Sequence, residues 1–211
     1  MKVLAVLGSA SARVLELAAA LGEVVAVSVA QQATALQRAP AGVQRIHVWD
    51  DALAELAPGS DAEMAHAAVL AALARRLTTP LVVLCDSPRG LLGAATAEQL
   101  GLPLLSQVLG AEPIDDANLP LRVIRRCLHG VQQLRGPAAA VLSVVPGSEE
   151  PAEAASEPVT RWGLGELGLT PADLPRPLLR PVLTAPHASF PARRFATLEE
   201  LVEQLRQDGL G

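Results

Sequence analysis

Short apolar runs rich in β-branched residues recur along the chain, and Ala- and Leu-rich stretches with helical spacing separate them. Runs that are apolar at nearly every position are typical of parallel strands, because both faces of such strands are covered. The pattern therefore predicts an α/β fold built on a mostly parallel sheet. The predicted strands are Val3–Leu7, Val24–Val29, Arg45–Val48, Leu81–Cys85 and Ala139–Val145.

The residues between the third and fourth predicted strands have the periodicity of an amphipathic helix. Leu70 and Leu73 fall on one apolar face, and Pro80 marks the end of the helix. Ser60 stands three residues before Glu63, which is the spacing of a capping box, so we expect Ser60 to cap this helix. Helices on both faces of a parallel sheet give a three-layer, Rossmann-like arrangement.

Residues 104–137 have a different character. They form short segments that Gly and Pro interrupt, and His129-Gly130 suits the turn of a β-hairpin between two of these segments. We therefore expect an antiparallel hairpin as an addition to the parallel sheet.

The composition changes after Pro146. Residues 147–168 are acidic, rich in Pro and Ala and without periodicity, so we expect a mobile loop there. Residues 169–211 combine a Pro-rich stretch, which suits an extended arm that lies on a partner, with a final amphipathic helix. The predicted organisation is an α/β domain over 1–146, then the acidic loop over 147–168, then the arm and C-terminal helix over 169–211.

Composition excludes several classes of function. The net charge of -5 leaves no basic surface for nucleic acid, and aromatic residues, at 2%, are too few for base stacking. The two cysteines and four histidines show no metal-ligand spacing, so we expect no metal, and the cysteine usage suits a cytoplasmic protein. No apolar run approaches the ~18 residues of a membrane span, so we expect no membrane insertion.

Ligands of doubly wound sheets bind beyond the carboxyl ends of the strands, where the strand order reverses. The loop after the fourth predicted strand leads into an Ala- and Leu-rich helix, which is the outline of a phosphate site at a helix N-terminus. Candidate contacts at the ends of three of the predicted strands are Gly8, Ser9, Ser28, Asp86 and Ser87.

The order of these segments resembles that of the electron transfer flavoprotein β subunit family. The corresponding stretches are EVVAVSV, QRIHVWDD, LVVLCDSPRGLLGAATAEQLGLP and PAAAVLSV, with a hairpin before the last. The ending, APHASFPARRFATLEELVEQLRQDGLG, is similar to the Pro-rich arm and final helix of those subunits. The resemblance covers roughly residues 20–211 and rests on the order and spacing of the segments.

The resemblance implies a subunit without an electron-transferring flavin of its own. The arm would dock on an α-type subunit that carries FAD, and the pair would pass electrons from a dehydrogenase to an acceptor. AMP would bind beyond the strand ends. The candidate cofactor-binding residues are then Gly8, Ser9, Ser28, Asp86, Ser87, Gly90, Leu91, Leu92 and Gly93.

Two stretches depart from the family's pattern. The family's loop reads D-x-x-x-x-Q-T-G, and residues 90–92 here lack its polar side chains, although Asp86, Ser87 and Gly93 keep part of the pattern. The loss of two or three hydrogen bonds, each worth about 0.5–1.5 kcal/mol, would weaken AMP binding by about one to three decades. A redox partner is expected to dock near residues 148–165, which are acidic where the family has a lysine-rich run.

We therefore expect an electron-carrier subunit and not an enzyme, with no catalytic residue assigned. Trp162, in the acidic loop, is a candidate interface anchor. Two alternatives stay open. One is a stand-alone adenine-nucleotide-binding protein resembling the universal stress proteins, which the Pro-rich arm disfavours. The other is a structural subunit with a vestigial nucleotide site, which Leu91 and Leu92 favour.

Overall fold

One mixed sheet crosses the molecule. The structure, a computed structural model, describes residues 1–8, 11–56, 59–85, 90–146 and 158–175. Within these residues, nine strands form the sheet. They are β1 (Lys2–Val6), β2 (Glu23–Val29), β3 (Gln44–Val48), β4 (Leu81–Cys85), β5 (Leu104–Pro113), β6 (Leu121–Cys127), β7 (Gly130–Gly136), β8 (Ala140–Val144) and β9 (Thr160–Trp162).

The strand order is β7-β6-β5-β8-β4-β1-β2-β3-β9. The strands from β5 to β9 in this order are parallel to one another, and β6 and β7 continue antiparallel from β5. The chain places β2 and β3 on one side of β1 and then returns to place β4 on the other. In doubly wound sheets, ligands bind at such a reversal, beyond the carboxyl ends of the flanking strands, which are β1 and β4 here.

Helices cover both faces of the sheet. The described α-helices are α1 (Ser11–Leu21), α2 (Asp51–Ala54), α3 (Ser60–Arg76) and α4 (Leu92–Leu100), and 3₁₀ helices span Ala30–Arg38, Gly165–Leu167 and Pro171–Asp173. The α1 helix and the first 3₁₀ helix line one core, here called the α1-side core. The α2, α3 and α4 helices and the 3₁₀ helix Gly165–Leu167 line a second core on the opposite face, here called the α3-side core.

Successive residues of the central strands are buried on opposite faces. In β1, Val3 belongs to the α1-side core and Leu4 to the α3-side core, and neither is exposed. Leu81 and Val82 repeat this arrangement in β4. Because water reaches neither face, the strands are apolar at nearly every position. The predicted α/β, three-layer, mostly parallel and Rossmann-like fold is confirmed.

The antiparallel addition is also confirmed. β6 and β7 pair along their whole length, and the chain turns between them at Leu128-His129. Gly130 follows with φ +133°, a conformation that glycine adopts without a steric penalty. The hairpin exposes apolar side chains, with Leu128 91% and Val131 65% exposed.

The expected cap of α3 is wrong. The helix begins at Ser60 itself, so Gly59 is the N-cap residue and contributes no side chain. The carboxylate of Glu63, expected to complete a capping box, instead bonds to the backbone of Leu91 before α4. The carboxylate that the local spacing predicts as part of the cap of α3 therefore accepts a hydrogen bond from the start of α4 instead.

Residues 160–162, expected within a loop, form β9. The strand pairs in parallel with β3, and the Trp49 amide continues the pairing with a 2.9 Å bond to the Trp162 carbonyl. The physical reason is the open edge of β3, whose free backbone groups favour an added strand.

The start of the predicted arm packs on the α3-side core. Leu174 is buried there, and Leu169 is partly buried against the same core. Between them, Thr170 and Asp173 form a reciprocal capping box. The rest of the arm and C-terminal helix, and residues 147–157 of the acidic loop, lie outside the described residues. The domain boundaries after 146 and 168 stay predictions.

Candidate functional site

The candidate site lies at the carboxyl edge of the parallel strands, where the order reverses between β1 and β4. Gly8 is half-buried and follows β1 at this edge. Ser9, Asp86 and Ser87 lie outside the described residues. The described part of the edge therefore consists mainly of the strand ends and the start of α4.

The start of α4 is apolar in its side chains. Leu91 is the N-cap residue and is 43% exposed, whereas Leu92 packs against the α3-side core. Gly93 is buried, and Gly90 is half-buried. Since neither leucine carries a polar side-chain atom, the polar groups that these four residues offer a ligand are backbone groups.

A carboxylate from α3 meets this helix start. The Leu91 amide donates a hydrogen bond to Oε2 of Glu63 over 2.6 Å. The first turn of α3 positions Glu63, and α3 packs beside α4. The contact is favourable because the N-terminus of a helix carries partial positive charge. The chain thus places its own anion where a helix start attracts phosphate.

Ser28 makes a buried hydrogen bond to the next strand. Its Oγ lies 3.0 Å from Nδ1 of His47, directly opposite it in the register of β2 and β3. Their exposed fractions are 0% and 5%. The bond joins the ends of the two strands at the site edge. The role of Ser28 as a ligand contact stays a prediction.

The surroundings of His47 disfavour its charged form. Burial lowers the pKa of the His47 imidazole below its ordinary value, and the positive charge of Arg161 on β9 lowers it further. Hydrogen bonding with Ser28 acts in the opposite direction and is the smaller effect compared with burial. Ser28 and His47 have the spacing of a nucleophile and base, and both side chains are buried.

Two tryptophans lie at this side of the sheet, Trp49 directly after β3 and Trp162 at the end of β9. The Trp49 ring is centred 6.0 Å from the His47 ring, and the Arg76 guanidinium lies 5.7 Å from the centre of the Trp162 ring. Trp162 is half-buried against the α3-side core, whereas Trp49 is 41% exposed. The more exposed indole is therefore Trp49 and not the Trp162 that the sequence singled out.

Two further observations bear on the kind of site. In the described ranges, no three His, Cys, Asp or Glu side chains come together in a group that could hold a metal ion. No helix in the described part of the chain has the length and apolar character needed to cross a membrane.

The fold defines a class: a doubly wound, Rossmann-like α/β domain, extended by an antiparallel hairpin. The family model described as the electron transfer flavoprotein domain matches residues 3–167, which span the sheet from β1 to β9. The chain therefore belongs to the electron transfer flavoprotein domain family. A comparison with curated proteins found no match.

Proposed function

We propose that this chain is the β-type subunit of an electron transfer flavoprotein. It would pair with an α-type subunit that carries FAD and support electron transfer between a dehydrogenase and an acceptor. The observation that carries the proposal is the family match over residues 3–167. Members of this family are electron carriers and not catalysts, and the chain acts here as a binding subunit.

The β-type assignment is supported by the C-terminal resemblance. The stretch from Ala185 to Gly211 is similar to the arm and final helix with which β subunits dock on their partner. Leu169 and Leu174, which precede this stretch in the chain, pack against the α3-side core. The exposed Leu128 and Val131 on the hairpin also favour a chain that works in an assembly.

The redox partner is proposed to dock near residues 148–165. This stretch has four Glu and one Arg, Arg161, so it suits a partner with a basic surface. Such a partner would differ in charge from those of relatives with a lysine-rich run at this place. We propose a cytoplasmic setting, in keeping with the cysteine usage.

The test is a pull-down of the tagged full-length chain from its own cells, with the visible spectrum and masses of the eluate recorded. We expect a yellow complex with one larger chain in an equimolar ratio. A colourless chain that elutes alone would contradict the proposal, and a monomer with bound nucleotide would favour the universal-stress-protein alternative. A colourless but stable complex would favour the structural-subunit alternative, which the Glu63–Leu91 contact also favours.

A further inference from the structure

The family fold implies AMP at the carboxyl edge of the sheet, and the residues at the start of α4 do not fit its phosphate. The Leu91 amide is engaged by the Glu63 carboxylate at 2.6 Å. A phosphate that approaches the same amide meets that carboxylate first. This misfit between site and phosphate involves Glu63 of α3, which lies outside the loop that corresponds to the family's D-x-x-x-x-Q-T-G motif.

We propose that Glu63 takes the place of the nucleotide phosphate at the start of α4, so that this chain does not bind AMP at its family site. The internal carboxylate supplies the negative charge that the helix N-terminus favours. The inference rests on family membership and not on the proposed pairing with an FAD-carrying subunit.

Charge repulsion sets the size of the effect. Two unit negative charges about 4 Å apart repel each other. This repulsion lowers the affinity for AMP about fivefold in water and about a thousandfold at the effective dielectric constant of a protein surface. Glu63 is half-buried, so the effect should fall between these limits.

The side chains of Leu91 and Leu92 offer no compensation. Leu91 projects an apolar group into solvent, and Leu92 packs against the α3-side core. Neither can donate a hydrogen bond to a phosphate oxygen, so the repulsion from Glu63 is not offset there.

The test compares AMP binding by the full-length wild type, Glu63→Gln and Glu98→Gln. The first substitution keeps a side-chain oxygen as acceptor for the Leu91 amide but removes the charge, whereas Glu98 lies exposed near the other end of α4 and serves as the matched control. Equilibrium dialysis with labelled AMP gives the affinities. We expect Kd above about 1 mM for the wild type and the control, and binding at least about fivefold tighter for Glu63→Gln.

A second readout tests the contact itself. The amide resonance of Leu91 should change its chemical shift in Glu63→Gln, because its acceptor loses its charge, and should stay unchanged in Glu98→Gln. The proposal is overturned by micromolar, stoichiometric AMP in the wild type, by equal AMP binding in wild type and Glu63→Gln, or by a Leu91 amide resonance that is the same in both. The FAD content of the same purified complex tests the proposed pairing with an FAD-carrying subunit. The proposal on AMP and the proposal on pairing can therefore be contradicted separately.

Discussion

Replacing Ser28 by alanine tests whether the buried bond to His47 stabilises the site edge. The Ser28 hydroxyl is fully buried and lies 3.0 Å from Nδ1 of His47, so its removal leaves a buried ring nitrogen without that partner. A buried polar group left unsatisfied costs about 1–3 kcal/mol. We therefore expect Ser28→Ala to lower the free energy of unfolding by about 1–3 kcal/mol.

Urea unfolding followed by circular dichroism measures this loss, with an unchanged slope showing that the native state stays compact. Thr79→Val is the matched control, because Thr79 is 4% exposed and its Oγ1 has no hydrogen-bond partner within the described residues. Its free energy of unfolding should stay equal or rise. A cycle with His47→Leu should give a coupling of about 1 kcal/mol. A Ser28→Ala protein as stable as the wild type, or a Thr79→Val protein equally destabilised, would refute the reasoning.

Three further changes have defined outcomes. Burial lowers the pKa of His66 in the folded chain, so the unfolded chain binds the proton more readily. The contribution of the neutral, buried His66 to the free energy of unfolding is therefore fully present above about pH 6.5 and is lost as the pH falls through the folded pKa. His66→Leu should flatten the stability profile between about pH 7 and 5, and an unchanged profile would contradict this. Gln107 is exposed with φ +59°, so Gln107→Gly should raise the free energy of unfolding by up to about 1 kcal/mol. The control Gln132→Gly, within β7, should lower it by about 0.5–1 kcal/mol. Equal effects of the two substitutions would argue against strain at Gln107. Leu73→Ala, in the fully buried face of α3, should lose about 2–5 kcal/mol by urea unfolding, and a loss under 1 kcal/mol would place Leu73 outside the core.

The central sheet was predictable because burial on both faces leaves a strong local signal. The run ending at Cys85 is apolar throughout and the run ending at Val29 is apolar apart from Ser28 in its predicted range, and the observed C-terminal ends of both strands match the prediction. The β6–β7 hairpin was predictable because His129-Gly130 supplies turn chemistry between two short segments. β9 was not, because a three-residue edge strand depends on the open edge of β3 and has no periodicity of its own.

The site edge was predictable in position but less so in its contacts. The reversal of strand order identifies the edge from the strand pattern alone. Glu63 and His47 were missed as site residues because their partners are distant in the chain: Leu91 is 28 residues from Glu63, and Ser28 is 19 residues from His47. The only local signals were the position of Glu63 in the first turn of a helix and the polarity of His47 near a buried strand end.

The central claim is that this chain completes a flavoprotein whose FAD another chain carries. The most direct measurement is a titration of the purified chain into the flavin-carrying chain that co-purifies with it, followed by flavin fluorescence and sedimentation. We predict a change in flavin fluorescence that saturates at an equimolar ratio, with both chains sedimenting as one heterodimer. Flavin fluorescence that stays constant under a large excess of this chain, with the two chains sedimenting apart, would contradict the claim.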